Sequence, residues 1–160
     1  WGVSSVETSR GTYDPSLTLS MSENVVASGS GSMEVVTVFQ RDVSLTLPRL
    51  VASAQQETME AQLFGTLVEE NGCLYVQSDT GDEQYLIVWA ADYSPGIGQE
   101  SAFVQNESGL IAVSVGQHVY LDGGEIPAEV QPDFEAGSGL LPIEGCSGPY
   151  WLMGTTARPD

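Results

Sequence analysis

Nucleophilic catalysis of the serine–histidine–aspartate type would have to use His118, because it is the only histidine in the chain. Asp122 follows it four residues later, and such a triad would perform acyl transfer. The serine of many such enzymes lies in a Gly-x-Ser-x-Gly turn between a strand and a helix. That pattern is absent, and Gly137-Ser138-Gly139 lacks the flanking strand and helix. We therefore interpret His118 as an exposed or hydrogen-bonded strand residue.

Carboxylates are numerous enough to raise the question of paired acid–base catalysis, as in glycoside hydrolysis. The candidates are Asp79, Asp82, Glu83, Asp92, Asp122 and Glu125. No one of them is marked out by an apolar environment that would raise its pKa and make it a general acid. The sequence thus selects no catalytic pair, and we expect a protein that is not an enzyme.

Calcium fits two acidic segments by residue type. Asp79 and Asp82 share one glycine-containing turn, and Asp122 and Glu125 flank a glycine pair. Hard cations prefer several oxygen ligands on such turns. Neither segment matches an EF-hand loop, and solvated acidic turns are the alternative. We expect no cofactor other than this candidate calcium.

Aromatic side chains could form a binding face, or they could simply fill the core. The set in or beside the β-rich region is Tyr75, Tyr85, Trp89, Tyr93, Tyr120, Tyr150 and Trp151. Tyr93, Tyr150 and Trp151 lie next to loop-forming segments, so we take these three as the candidate binding residues. Asn106-Glu107-Ser108 is a sequon for N-glycosylation on a predicted turn.

The net charge of −18 arises mainly from missing bases, since 22 acidic residues face four arginines and there is no lysine. Nucleic-acid binding requires Lys and Arg to replace condensed counterions, and anionic membranes attract the same residues. The composition therefore argues against nucleic acid as a partner and against anionic membrane surfaces. A basic protein, a cation or a neutral glycan remains. The simplest role of the charge is to keep an extracellular or high-salt protein soluble and monodisperse.

Cys73 and Cys146 are the only cysteines. There is no Cys-x-x-Cys pair and no histidine cluster, which argues against a zinc site. One long-range disulfide of an exported protein and two unpaired buried thiols are the alternatives. The chain begins at Trp1, which indicates a processed chain or a fragment. No apolar run is long enough to span a membrane.

The first strand signals come before residue 60. Met33–Phe39 is rich in β-branched residues, which predicts a strand. Val43–Leu47 alternates apolar and polar residues and is predicted to stop at Pro48. Leu50–Gln62 is the only plausible helix, but it lacks a clean apolar stripe and is predicted to be short or absent.

Strand signals become dense from Ala61 onward. Asn71-Gly72 separates two strand-like segments and predicts a type I′ hairpin turn, in which both residues have positive φ. Tyr85–Ala90 is almost continuously apolar, which indicates a strand covered on both faces. Asp92–Ser101 is predicted to be a loop because of its Gly and Pro content. Further predicted strands are Phe103–Val104, Leu110–Val115, His118–Leu121, Leu140–Ile143 and Pro149–Met153. The fold class predicted is all-β, a small barrel or sandwich.

Four segments are predicted along the chain. Residues 1–32 are an arm rich in Ser, Thr and Gly, in which Leu17, Leu19 and Met21 alternate with polar residues as in a strand. Residues 33–60 hold strands and a connector, residues 61–154 the β-domain, and residues 155–160 a tail.

Residues 61–154 resemble a type of small, uncharacterised bacterial exported domain that is often attached to lipoproteins. The segments that carry the resemblance are Gly65–Val68, Asn71–Val76, Tyr85–Trp89, Val115-Gly116, Leu121–Glu125 and Cys146–Leu152. The resemblance implies a five-stranded, OB-like barrel and favours pairing Cys73 with Cys146. It implies no activity, and an OB-like topology by itself carries no function.

These observations favour a non-catalytic, secreted or cell-surface module that acts structurally or by interaction with protein partners. Residues 12–21 are predicted to add as a strand to the sheet edge of a neighbouring subunit. The alternative is a carbohydrate- or peptide-binding domain that uses Tyr93, Tyr150 and Trp151.

Overall fold

The structure is a computed structural model that describes residues 22–27, 33–40, 43–50, 59–138 and 142–159. Its strands are β1 Ser22–Ala27, β2 Met33–Gln40, β3 Val43–Leu50, β4 Ala61–Glu70, β5 Cys73–Ser78, β6 Gln84–Val88, β7 Tyr93–Ile97, β8 Ala102–Asn106, β9 Ile111–Ser114, β10 His118–Glu125 and β11 Tyr150–Pro159. Helix α1 spans Gln131–Ser138. The predicted all-β class is confirmed.

Eight strands form one sheet in the order β1-β2-β3-β5-β4-β10-β11-β6, and β7, β8 and β9 form a second, antiparallel sheet. Strand β6 pairs in parallel with β11 and antiparallel with β5. Strand β6 therefore links β11 back to β5 and has a partner strand on both sides, while β1, at the other end of the sheet, pairs with β2.

The hairpin between β4 and β5 follows from its turn residues. Asn71 and Gly72 have φ angles of 55° and 81°. Both values are positive, as a type I′ turn requires, and this turn matches the right-handed twist of the flanking strands. Glu70 pairs with Cys73 directly across the turn. The predicted hairpin is confirmed.

Two apolar clusters cover opposite faces of β5, β6 and β11. The first core includes Leu47, Leu67, Val76, Tyr85, Ile87, Trp89, Leu121, Trp151 and Met153. The second core contains Met33, Cys73, Tyr75, Leu86, Val88, Ile126, Cys146 and Tyr150. Successive residues of β6 thus belong to alternate cores, because side chains of a strand point to opposite faces. The prediction that Tyr85–Ala90 is covered on both faces is confirmed.

The second sheet packs on the first core through Tyr93, Val104 and Val113, which are all buried. Arg49 of β3 adds a polar connection. Its Nε donates to Glu34 Oε1 at 2.6 Å, and an Nη donates to the Tyr93 carbonyl at 2.9 Å. One arginine therefore joins β2, β3 and β7.

Residues on either side of position 60 share one core. Leu45 and Leu47 of β3 lie in the same cluster as Leu63 and Leu67 of β4. A backbone hydrogen bond also joins the two regions, because the Thr46 N–H donates to the Gly72 carbonyl at 2.6 Å. In the described residues, β2 and β3 are thus part of the same packed unit as the region 61–154.

Pro48 does not end β3, which corrects the predicted stop. It pairs with Val35 of β2, and the strand continues to Leu50. Backbone groups of Thr46 and Leu50 point away from β2, toward Gly72 and Trp89. Pro48 has the same orientation, so its missing N–H costs no hydrogen bond between β2 and β3.

Three further elements differ from the predictions. The described part of Leu50–Gln62 begins strand β4 at Ala61, while residues 51–58 lie outside the described residues. Among the described residues, the helix is α1, which was not predicted; its Phe134 packs on Tyr150 with ring centroids 5.7 Å apart. Strand β7 lies in the predicted loop 92–101, because an edge strand tolerates its Pro95. Strand β11 runs through residues 155–159, which were assigned to a tail.

Candidate functional site

Among the strands that the structure describes, the outer side of β1 is the open edge of the eight-stranded sheet. All six residues of β1 pair with β2, from Ser22 opposite Phe39 to Ala27 opposite Glu34. No other described strand pairs with β1. Alternate backbone N–H and C=O groups of an edge strand point outward, where another strand can bind them.

The edges of the second sheet are less suited to strand addition. Strand β7 carries Pro95, which lacks an N–H, and β9 has only four residues. Short strands and prolines are devices that protect sheet edges. Strand β1, with the sequence SENVVA, has six residues, no proline and two adjacent valines. Among the described edges, β1 is therefore the best receptor for a further strand.

The predicted donor segment, residues 12–21, lies outside the described residues. Of the predicted arm 1–32, the described part is β1 itself, which pairs within its own chain. This within-chain pairing uses one edge of β1, and no other strand in the described part of the chain pairs with its second edge.

The three predicted binding aromatics are core residues, which corrects the exposed face that the alternative required. Tyr93 is 6% exposed, Tyr150 0% and Trp151 5%. Tyr150 lies in the second core and donates to Glu135 Oε1 at 2.7 Å, and Trp151 lies in the first core. Their positions beside Gly- and Pro-containing segments suggested exposure, but β11, which begins at Tyr150 within the predicted strand Pro149–Met153, is covered on both faces. A binding face formed by these rings is not present.

An exposed aromatic pair lies elsewhere, on the outer face of β4 and β10. Phe64 is 39% exposed and pairs with Tyr120 across the strands, with ring centroids 5.1 Å apart. Sequence reasoning missed Phe64. Its signal was alternation, because Leu63 and Leu67 point into the first core and the residue after Leu63 must point outward.

His118 and Asp79, separated by 39 positions, form a side-chain hydrogen bond. His118 Nε2 and Asp79 Oδ2 are 2.5 Å apart, with side chains 38% and 46% exposed. The contact joins β10 to the turn after β5. The prediction that His118 is a hydrogen-bonded strand residue agrees with this position. Asp79, one of the candidate calcium ligands, is thus held by an imidazole.

The other candidate calcium ligands do not converge with Asp79. Asp82 is exposed on the turn before β6, Asp122 lies against Gly154 of β11, and Glu125 Oε2 is 3.3 Å from the Tyr85 hydroxyl. Among the described residues, no group of three or more His, Cys, Asp or Glu side chains is arranged to hold a metal ion.

The cysteines form the predicted disulfide. Cys73 at the start of β5 and Cys146 have Cα atoms 5.7 Å apart and are bonded. The bond fixes the segment before β11 over the second core. Next to it, Tyr75 donates its hydroxyl to the Ser147 carbonyl at 3.1 Å. Of the two alternatives, the disulfide is confirmed.

Asn106 of the sequon ends β8 at the turn to β9. Its Oδ1 accepts the N–H groups of Ser108 and Leu110, both at 3.0 Å. These bonds form an Asx turn, a common way to close such a loop. The sequon lies where it was predicted, on a turn.

Burial raises the pKa of three tyrosine hydroxyls above the ordinary value of 10.0. For Tyr85, hydrogen bonds to Glu83 and Glu125 raise the pKa further, and for Tyr150 the bond to Glu135 does so. For Tyr75, the Ser147 N–H partly opposes the effect of burial. In each case the protonated form is favoured in the folded protein.

We therefore expect stability to fall above about pH 10, the ordinary tyrosine pKa. When folding raises a pKa, the group contributes its full stabilisation below the pKa of the unfolded state. This contribution is lost as the pH rises through the pKa of the folded state. Each such tyrosine contributes a slope of about 1.4 kcal/mol per pH unit in that window. Denaturant unfolding at stepped pH, followed with tyrosinate absorbance, measures it. Tyr85→Phe should reduce the slope by one tyrosine's share. Ordinary ionisation of all tyrosines in a folded chain would contradict the expectation.

No described helix is long and apolar enough to cross a membrane. Comparisons of the chain with protein-family models, curated proteins and solved structures found no match.

Proposed function

We propose that the protein is a non-catalytic structural module, secreted or displayed at the cell surface, that assembles by strand addition at β1. The incoming strand is the segment 12–21 of a second copy. The single observation that supports this most strongly is the open edge of β1 in a sheet whose other end is closed by the β5–β6 pairing.

The arm has the pattern that such an incoming strand needs. Leu17, Leu19 and Met21 alternate with Thr18 and Ser20, so one face of the strand is apolar. Backbone hydrogen bonds supply affinity in strand addition, and alternate side chains supply specificity. The arm and β1 are adjacent in sequence, so each copy offers both a donor and a receptor.

The disulfide and the negative charge of the chain agree with the proposed extracellular setting. A disulfide persists in oxidising compartments, as outside the cell. The net charge of −18 keeps single copies apart at low salt, because like charges repel over a Debye length of about 10 Å at 0.1 M salt. Both features accord with the resemblance of residues 61–154 to exported domains.

Light scattering of the full chain at low and at physiological ionic strength tests the proposal. We expect a mass above that of one chain, increasing with salt as repulsion is screened. Deleting residues 1–21 should return the mass to that of a single chain, whereas deleting residues 1–11 should leave assembly intact. Equal masses for both truncated chains, or a single-chain mass for the full chain at all salt concentrations, would reject the proposal.

Proline substitution locates the receptor edge. Asn24→Pro and Val25→Pro remove neighbouring N–H groups of β1, and these point to opposite sides of the strand. One variant should lose assembly while keeping the β1–β2 pairing, and the other should disturb that pairing. Assembly that survives both variants would show that β1 is not the receptor.

A further inference from the structure

A groove lies where the start of β3 meets the hairpin between β7 and β8. It encloses about 200 Å³, and its apolar lining residues are Val43, Leu45, Ile97 and Ala102. This volume is below the roughly 300–1,000 Å³ of small-molecule sites. The groove is therefore suited to a few side chains of a larger partner.

Apolar surface continues from the groove onto strand β2. The lining residue Val43 is 55% exposed, and Phe39 of β2, which pairs with the lining residue Ser44, is 43% exposed. Exposed apolar side chains that adjoin one another mark interaction sites more often than isolated ones do. The end of the β2–β3 hairpin thus adds apolar area to the groove.

The polar part of the groove is acidic. Glu69 and Glu100 line it, and none of the described lining residues is basic. Glu69 is held in place because its Oε1 accepts the N–H of Gly72 at 2.6 Å. Carboxylates at the border of an apolar groove attract a cationic partner and disfavour an anionic one.

We propose that this groove binds an extended, basic segment of another protein. Alternate apolar side chains of the segment contact the apolar lining residues, and its Lys or Arg residues face Glu69 and Glu100. A second copy of this chain is the wrong occupant, because the chain carries a net charge of −18 and no lysine. The site is separate from the proposed assembly edge, since the groove involves β3 and the second sheet rather than β1.

Fluorescence anisotropy of the full chain with labelled synthetic peptides tests the inference. The probe alternates valine and lysine; one control alternates valine and glutamate, and another carries the probe's residues as a valine block followed by a lysine block. We expect the probe to bind more tightly than both controls at physiological ionic strength, where weak attraction to the overall charge is screened.

Three variants assign the binding to the groove. Glu100→Gln and Val43→Ser should each weaken probe binding roughly five-fold, the effect of about 1 kcal/mol. Glu107→Gln is the matched control, because it removes the same charge from the exposed β8–β9 turn and should leave the affinity unchanged. Both groove substitutions are at exposed positions, so the fold tolerates them.

Specific outcomes would overturn the inference. Equal weakening by Glu100→Gln and Glu107→Gln, or equal binding of the block peptide, would mean that the probe senses only the overall charge. No binding of the probe, or equal binding of the valine–glutamate peptide, would also refute it. Deleting residues 1–21 should leave probe binding unchanged even if assembly is lost. The experiment therefore tests the groove independently of the proposed assembly.

Discussion

Removing the Cys73–Cys146 disulfide should lower the free energy of unfolding by about 4 kcal/mol. The bond spans a sequence separation of 73 residues, so it restricts a large part of the unfolded chain. In the folded protein it fixes the residues before β11 over the second core, where Tyr75 contacts Ser147. This is a large share of the roughly 5–15 kcal/mol by which ordinary domains are stable.

Denaturant unfolding of the double variant Cys73→Ala, Cys146→Ala measures this effect. Alanine is the suitable replacement, since both positions are buried and a hydroxyl there would lack a partner. Reductant should destabilise the native chain and leave the double variant unchanged, which provides the internal control. A double variant that unfolds at the same denaturant concentration as the oxidised native chain would contradict the expectation.

The second large effect is expected from Arg49→Ala, which should destabilise the fold by about 2–3 kcal/mol. Arg49 and Glu34 are 17% and 18% exposed in their side chains, so the pair is largely withdrawn from water. Removing the arginine takes away one hydrogen-bond donor from the Glu34 carboxylate and one from the Tyr93 carbonyl. It also removes the polar link between the first hairpin and the second sheet.

Arg49→Lys and Glu34→Gln separate charge from geometry. A lysine keeps the charge but cannot donate from a planar fork to Glu34, Tyr93 and Ser94 at once, so an intermediate loss is expected. Glu34→Gln keeps an acceptor for Arg49 and should cost less than Arg49→Ala. Chemical denaturation of all three variants tests the order. If Arg49→Ala is as stable as the native chain, Arg49 does not connect the sheets as described.

Local patterns in the sequence predicted the elements that depend on neighbouring residues. Asn71-Gly72 requires positive φ at both positions, and a continuous apolar run such as Tyr85–Ala90 must be buried on both faces wherever it lies. The two cysteines left only two alternatives. Each of these predictions depends on the properties of a few neighbouring residues, or on the presence of a single pair of cysteines.

The misassigned residues depend on contacts distant in the chain. Tyr150 and Trp151 follow a Gly- and Pro-rich segment and were therefore placed near the surface. They are buried because β11 pairs in parallel with β6 and because α1 covers the second core. Helix α1 itself has a weak apolar pattern, and its packing depends on Phe134 meeting Tyr150. None of these partners can be identified from local sequence.

The open edge at β1 is also a non-local property. Residues 22–27 predict nothing about which strand ends the sheet. In the order of the described strands, β1 has only β2 as a neighbour, whereas β6 at the other end also pairs with β5. The arm pattern at Leu17, Leu19 and Met21 was visible in the sequence, but its receptor could be located only from the pairing of all the strands.

Hydrogen exchange at Ser22–Ala27, measured over a range of protein concentrations, tests the central claim most directly. If copies assemble by strand addition, the β1 amides that face the open edge should become protected as concentration rises, while those bonded to β2 should change little. The chain without residues 1–21 should show no such dependence. Exchange of all β1 amides that is independent of concentration in the full chain would contradict assembly at this edge.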